Sequence, residues 1–465
     1  MLGKVFKAYD IREKFPKPLS AKLAWQIGWG SAQWLHEQAT AEGHDDPMMR
    51  NIVVGRDMRT SSPELTEALK KGIKDFGGGV IDIGRVDTPA VGFAVNYLGC
   101  CGGIMVTASH NPPAYNGFKV CRTKAKPVGM ANGLDEIRRY AAIGNQEKCT
   151  PQGGLEESRD LWDAYTRHVH RFLSPEILDG SKKLRVVIDA SNGMAGEMVP
   201  KVFAGVKGLE IVKLNFETDG TFKHEPNPLV EANLAELQEV VRKKKAHVGI
   251  CFDGDADRCV AVDETGATIG CDLLTAWLAG GFLADDPGSA IVYDLRSSKS
   301  LPEMVTEAGG RPVEGRVGHV FMKQVMAEES AVFGGELSGH FYFRDNFNAD
   351  SGAIAFACVV SRLAAEKGKL SKLIAPAQRY VQSGEINFEV EDKDEAMAAL
   401  EEAWPDAEVK HLDGVTIDCG EWWCNVRPSN TEPLLRLNLE GPDAGTVEGL
   451  VAEVSEVLGG KRVAH

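Results

Sequence analysis

Between residues 52 and 340 the chain runs three times through one order of elements: strand, helix, strand, helix, strand, then a polar loop. The first pass begins at Ile52–Val54, which ends in Gly55-Arg56-Asp57. Pro63–Phe76 follows with Leu65, Ala68, Leu69 and Ile73 at helical spacing, then a strand at Val80–Ile83 and a helix at Ala90–Leu98. Gly103–Val106 closes the pass and leads into the loop Thr107–Pro112. The second pass reads Val186–Ile188, Ala195–Val206, Glu210–Leu214, Asn233–Lys245 and Val248–Phe252, with its loop at Asp253–Arg258. The third reads Ile291–Tyr293, Ser300–Ala308, Pro312–Glu314, Phe321–Glu328 and Val332–Phe333, with its loop at Gly335–His340. Sequence identity between the passes is negligible, so the order of elements alone relates them. A repeated βαβαβ order predicts doubly wound sheets, in which ligands bind beyond the carboxyl ends of the strands. The three loops are where chemistry is expected.

The remainder follows a different order. From Gly384 it reads as a strand (Ile386–Val390), a helix (Glu395–Trp404), several strands around an Asp413-Gly414 turn, and a last helix (Thr446–Leu458). That order predicts a smaller α+β domain. Its unusual loop, Arg427–Pro433, lies between strands at Trp422–Val426 and Leu434–Leu439. Linkers are expected at Asn145–Gly154 and Leu370–Ser383. The expected class is therefore α/β: three doubly wound mixed-sheet α/β/α domains and a smaller α+β C-terminal domain. Their expected limits are 1–153, 154–262, 263–372 and 373–465.

Composition removes several classes of function. Lys+Arg 52 against Asp+Glu 67 leaves a net charge of −15, which repels nucleic-acid phosphates and anionic lipid. Neither a nucleic acid nor a membrane is expected as partner. The N-terminus has charges every few residues and no apolar run of the kind a secretion signal needs. The longest stretch without a formal charge, Thr88–Phe118, is interrupted by glycines, Asn96 and Pro112-Pro113, so it does not read as a membrane span. Ten cysteines without a CxxC pair are expected to be reduced thiols of a cytoplasmic enzyme.

The loops carry the chemistry. Asp253, Asp255 and Asp257 in DGDADR are carboxylates at i, i+2 and i+4, a spacing that can turn three oxygens toward one hard cation such as Mg²⁺, Mn²⁺ or Ca²⁺. An EF-hand, with Glu264 at loop position 12, and a solvated acidic loop are the competing readings; Arg258 in place of the glycine at position 6 counts against the first. Ser109, in TASHNP after an apolar strand, is expected exposed on a tight turn. It is either a capping or solvated hydroxyl or a nucleophile, and Lys119 with the Asp trio favours the nucleophile. Glu336 and Ser338 in GELSGH would face one side of an extended loop and suit two adjacent sugar hydroxyls, while the His340 imidazole could move protons in catalysis. A glycine-rich turn with incidental polar residues is the alternative there. Arg427, Ser429, Asn430 and Thr431 offer a guanidinium, two hydroxyls and an amide, a donor set for a phosphate monoester. Arg12 and His319 are weaker candidates, because a lone Arg or His is more often a surface or supporting residue. No Walker A sequence is present, which argues against nucleotide-driven phosphoryl transfer.

Five ordered motifs, FKAYDIR at 6–12, TASHNP at 107–112, DGDADR at 253–258, GELSGH at 335–340 and RPSNTEP at 427–433, together resemble the α-D-phosphohexomutase family. The resemblance is greatest to the family's bacterial phosphomannomutase/phosphoglucomutase branch, and it spans essentially the whole chain. It implies that Ser109 is a phosphoserine and that Asp253, Asp255 and Asp257 bind Mg²⁺ together with it. Lys119 and His340 would be the general acid/base pair, and Arg258 would support the site. Glu336 and Ser338 would contact sugar O3 and O4; Arg427, Ser429, Asn430 and Thr431 would hold the non-reacting phosphate; the four domains would surround one cleft, which Tyr9, Arg12 and His319 would line. The serine motif departs from many members of the branch by Ala108 in place of Gly. Arg296, where related enzymes often have Lys, keeps the charge but is unsuited to acid/base work.

The implied reaction is reversible transfer of a phosphoryl group between positions 1 and 6 of mannose or glucose phosphates, through a hexose 1,6-bisphosphate that also acts as activator. A monomer or weak homodimer is expected. Within the family the rival is phosphoglucosamine mutase, in which Gly typically stands at the place of Asn430. Outside it, a metal-dependent sugar phosphatase would share Ser109 and the Asp trio, and a non-enzymatic sugar-phosphate sensor would leave the clustered Ser, Lys, His and carboxylates unexplained.

Overall fold

The computed structural model describes residues 2–44, 46–429 and 434–463. The chain divides into two compact units: residues 1–270 with 338–371, and residues 271–337 with 372–465.

The first unit contains two mixed sheets. In the larger, strands Asn51–Arg56, Gly79–Arg85 and Gly102–Val106 run parallel, and Tyr115–Arg122 and Ile11–Lys14 join antiparallel at one side. The opposite edge is Glu156–Ser158, so pairing carries this sheet past the expected limit of 153. The second sheet has the order Thr268–Ile269, Cys259–Asp263, Val248–Phe252, Leu184–Asp189, Leu209–Leu214. Its central strand, Val248–Phe252, is buried at every residue, as expected of an apolar run covered on both faces.

The helix Ser62–Phe76 buries Leu65, Leu69 and Ile73 and ends at Gly77, whose φ of 104° suits only glycine. It packs on Ala21–Ala41, a helix started by the Ser20 side chain accepting the Leu23 N–H. The two backbones approach so closely that a Cβ at Gly28 would lie 2.2 Å from Leu69 O, and one at Gly72 would lie 2.0 Å from Trp25 O. The segment 338–371 completes this unit. Its hairpin Phe341–Phe343/Ala349–Asp350 and helix Gly352–Ala365 associate with helices Trp162–His170 and Pro175–Asp179, helped by a His168–Asn346 bond of 2.8 Å. The expected segment 263–372 is thus shared between the units, because its last part finds its apolar partners in the first.

In the second unit, parallel strands Ala290–Asp294, Arg311–Gly315 and Phe333–Gly335 alternate with helices Ser300–Glu307 and His319–Glu328. The C-terminal sheet is antiparallel, in the order Glu408–Lys410, Val415–Asp418, Trp423–Pro428, Leu435–Gly441, Ile386–Glu389, Lys461–Val463. Helices Lys393–Ala403 and Ala444–Leu458 supply Leu400, Val451 and Val454 to its core. The expected linker Leu370–Ser383 is not an open tether: it holds the helix Leu370–Ile374 and the strand Val381–Gln382, which pairs with Leu435–Gly441. Among the described residues all ten cysteines are free, and no helix is long and apolar enough to cross a membrane.

Candidate active site

The acidic centre is built at the ends of two sheets of the first unit. Val248–Phe252 and Cys259–Asp263 form an antiparallel hairpin in register Phe252↔Cys259, and Asp253–Arg258 is the connection between them. A β-hairpin is not the helix–loop–helix of an EF-hand, and Glu264 instead binds the Ser371 N–H and hydroxyl, at 3.1 and 2.6 Å. Nor is this a solvated loop. Asp253 and Asp255 are fully buried and Asp257 is 3 % exposed. Their carboxylate oxygens lie within 4.8 Å of one another.

Burial together with the Asp257 and Asp255 charges pushes the Asp253 carboxyl well up. Burial acts the same way on Asp257, but Lys119, His340 and Arg258 outweigh it and hold that carboxyl well below its usual range. Lys119 lies 2.8 Å from Asp255 Oδ2 and 2.5 Å from Asp257 Oδ2; although burial works against its charge, the three carboxylates raise its pKa above the usual lysine value. The Thr88 hydroxyl donates to the same Asp255 oxygen at 2.5 Å, and the Thr88 N–H to the Asp255 carbonyl at 3.0 Å. With Oδ2 occupied, Asp255 Oδ1 is buried without a hydrogen-bond partner, as is Asp257 Oδ1. Buried carboxylate oxygens without a hydrogen-bond partner, on two of three acids around one point, are what a hard divalent cation satisfies. The trio therefore fits a metal.

Ser109 stands against this centre. Its hydroxyl donates to Asp253 Oδ2 at 2.8 Å, its N–H donates to Thr107 Oγ1 at 2.9 Å, and its φ is +50°. The expectation of an exposed serine is wrong: Ser109 is 1 % exposed. The cover comes from the Asp hairpin, where a Cβ on Gly254 would lie 2.4 Å from Ser109 O. Only glycine at 254 lets the two loops meet.

Basic side chains gather around the same point. His340 forms a backbone bridge with Arg258; its Nδ1 is 2.9 Å from Ser338 Oγ, and its Nε2 is 3.5 Å from Asp257 and 3.7 Å from Asp350. Arg258 Nε lies 3.9 Å from Asp253 and from Asp257. Arg12, on the strand Ile11–Lys14, donates to Asn111 Oδ1 at 2.5 Å and pairs with Asp10. Tyr9 is half-buried just before that strand. His110 was passed over in sequence, although it adjoins Ser109. Burial, Arg258, Arg12 and Lys119 hold its pKa well below the usual imidazole value, so it is neutral at pH 7.

The second unit carries a separate polar cluster. Arg427, 2 % exposed, donates to Glu385 Oε2 at 2.7 Å; Arg436 lies 3.2 Å and Arg296 3.7 Å from the same carboxylate. Arg427 and Arg436 face each other across paired strands, so Glu385 relieves a direct repulsion. Three guanidiniums around Glu385, one of them also held by Asp294, offer the forked donors that suit a phosphate. Arg296 is held by Asp294 at 2.8 Å, and although burial opposes it, that carboxylate raises its pKa above the ordinary arginine value, in keeping with no acid/base role. The Ser429 N–H donates to Leu434 O at 2.8 Å and closes the neck of the RPSNTEP loop; Asn430 and Thr431 lie outside the described residues. Glu336 accepts the Gly318 N–H at 2.9 Å beside His319, the first residue of its helix. Glu336 and Ser338 belong to different units. Glu385 and Arg436 were missed in sequence; only the strand register brings them to Arg427.

Family models match nearly the whole chain in order: phosphoglucomutase/phosphomannomutase alpha/beta/alpha domain I at residues 3–146, domain II at 163–266, domain III at 270–380 and the C-terminal domain at 385–457. The chain is 39 % identical over 460 residues to a protein named phosphohexose mutases from Xanthomonas campestris pv. campestris strain B100, covering 98 % of this chain and 99 % of that one. It is 37 % identical to the phosphomannomutase of Escherichia coli K12, covering 94 % of each. A crystal structure of a phosphoglucomutase/phosphomannomutase family protein from Burkholderia thailandensis matches with a TM-score of 0.87 at 29 % identity, over 98 % of both chains. With all four domains matched in sequence and relatives aligned end to end, the chain belongs to the α-D-phosphohexomutase family, isomerases of carbohydrate metabolism.

Proposed function

We propose that the protein moves a phosphoryl group reversibly between O1 and O6 of mannose phosphates, and of glucose phosphates as well, through phospho-Ser109 and a hexose 1,6-bisphosphate that leaves and re-engages the same serine. The observation that carries this reading is the Ser109 hydroxyl on Asp253, among the buried acidic trio, with Lys119 bound to the other two acids. The names of the relatives, phosphomannomutase and phosphohexose mutase, support the hexose phosphate as substrate.

In the first half-reaction the bond from phosphorus to Ser109 Oγ breaks and one to the free sugar hydroxyl forms. His340 takes the proton of that hydroxyl, and Lys119, kept charged by three carboxylates, returns a proton to Ser109 Oγ. Mg²⁺ held by Asp253, Asp255 and Asp257 supplies neutralisation of the phosphoryl oxygens. Arg427, Ser429, Asn430 and Thr431 anchor the phosphate that is not reacting, Glu336 and Ser338 address the sugar hydroxyls, and Arg258, Tyr9, Arg12 and His319 orient the rest. After the bisphosphate exchanges its two ends, the other phosphate returns to Ser109 by the same steps reversed. The tasks divide along the chain as phosphoserine (1–153), metal (154–262), sugar (263–372) and phosphate anchoring (373–465).

Coupled assays with mannose 1-phosphate and glucose 1-phosphate, with inorganic phosphate followed in parallel, test the reading. Wild type is expected to isomerise both with little phosphate release, and Ser109→Ala to lose isomerisation. Full bisphosphate-dependent activity in Ser109→Ala, or stoichiometric phosphate release by wild type, would overturn it.

A further inference from the structure

Beneath Ser109 lies a residue that none of the motifs includes. Arg59 follows the first strand of the first repeat, two residues beyond the Asp57 that ends GRD, and is 1 % exposed. A guanidinium has five N–H donors, and all five are used here. Nε donates to Asp57 Oδ2 at 3.1 Å; Nη1 donates to the carbonyls of Pro112 and Tyr115 at 2.8 and 3.0 Å; Nη2 donates to those of Ser109 and Asn111 at 2.8 and 2.7 Å. Four of the five bonds therefore grip the backbone of a single loop, residues 109–115. Asp57 is itself fixed: it is fully buried, its N–H donates to Val106 O at 3.0 Å, and it accepts the Ser62 hydroxyl at 2.5 Å. The Phe222 ring lies 5.2 Å from the guanidinium carbon.

We infer that Arg59 is a positioning residue for phosphoryl transfer. Its guanidinium sets the path of the 109–115 backbone, and with it the left-handed conformation of Ser109 that aims Oγ at Asp253. A serine at φ +50° is strained, so the loop keeps that geometry only while something outside it holds the carbonyls in place. Lysine cannot substitute: its ammonium offers three donors from one point, and four carbonyls spread around a planar fork need four donors in fixed directions. The inference rests on Ser109 being the phosphoryl carrier for its catalytic consequence, but the clamp itself is a claim about the backbone.

The test uses the full chain with Arg59→Lys and, as a milder change, Asp57→Asn. Hydrogen–deuterium exchange is followed on peptides covering 107–117 and on the helix Ala21–Ala41, and kcat and KM are measured per folded molecule. For Arg59→Lys the expected result is a fall in kcat of roughly 100-fold with KM changed by less than about threefold, as for a nucleophile misplaced by ~1 Å. Exchange should accelerate at 107–117 and stay unchanged in Ala21–Ala41. Asp57→Asn should show the same pattern at about a tenth of that loss in kcat, and it decides the matter alone if Arg59→Lys does not fold. Wild-type exchange at 107–117 together with wild-type kcat in the variants would overturn the inference. So would acceleration spread evenly over the unit with kcat per folded molecule unchanged. Should wild type lack mutase activity, the proposed function fails, while the exchange difference at 107–117 still judges the clamp.

Discussion

Around Asp253, Asp255 and Asp257 three buried carboxylates meet one bonded ammonium, Lys119, whereas around Glu385 one carboxylate meets three guanidiniums, those of Arg296, Arg427 and Arg436. The first cluster sits on strand ends of the first unit; with Arg258 3.9 Å from Asp253 and Asp257 as the second cation, its carboxylates still outnumber these two cations by one. The second sits on the C-terminal sheet and the strand Ala290–Asp294 of the other unit, where Asp294 is a second carboxylate on Arg296 and the guanidiniums outnumber these two acids by one. Desolvated charge without balance is costly, and it persists where a ligand of opposite sign completes it. The difference therefore separates the tasks: one cluster is short of a cation, the other of an anion. A net charge of −15 hides this, because it sums over the surface rather than over either site.

The contrast can be broken at several points. The largest effect is expected at His340, where His340→Asn keeps a polar side chain but removes the imidazole; kcat should fall by ~10²–10⁴ with KM little changed, as read from steady-state kinetics. Asp255→Asn should lower divalent-cation affinity by at least ~10²-fold, because it removes one of the three carboxylate charges. Calorimetric titration with Mn²⁺ measures this independently of turnover, and unchanged affinity would separate the trio from the metal. At the opposite cluster, Arg427→Lys keeps the charge and loses the fork, and kcat/KM should drop by ~10-fold, mainly through KM. A pure kcat effect there would mean that the cluster does not anchor the non-reacting phosphate.

The smallest effect concerns stability. Burial raises the Asp87 carboxyl to about 7, despite the Tyr165 hydroxyl that donates to it at 2.7 Å. A carboxyl whose folded pKa is raised contributes stability that is complete below its unfolded value and is lost as pH climbs through the folded one. Wild type should accordingly lose stability between about pH 4 and pH 8. Asp87→Asn should escape that share, on the order of 1–4 kcal/mol at pH 8, in urea unfolding compared at pH 5 and pH 8. Equal pH slopes for the two proteins would show that Asp87 is ionised throughout.

Much of this was legible in sequence, because the decisive signals are local. DGDADR follows an apolar strand and precedes another, so the hairpin and the proximity of its carboxylates were both readable. The C-terminal α+β order was equally plain. What escaped notice depends on distant partners. Ser109 is buried by a loop whose Asp253 lies 144 positions away. Arg59 acts on backbone carbonyls, which carry no side-chain signature. Glu385 meets Arg427 and Arg436 only through the register of the C-terminal sheet. The helix Ala21–Ala41 contains Gly28 and Gly30, residues that weaken a helical reading yet let a neighbouring backbone come close.

The burial of Ser109 also decides which agents can reach it. A protein kinase or phosphatase must draw an extended segment into its own cleft, and this hydroxyl has almost no surface to offer, with its backbone carbonyl turned inward onto Arg59. Folded, the chain is closed to signalling enzymes at the residue proposed to carry its phosphate. On the proposed reading, small sugar phosphates and not signalling enzymes would set whether that residue carries a phosphate.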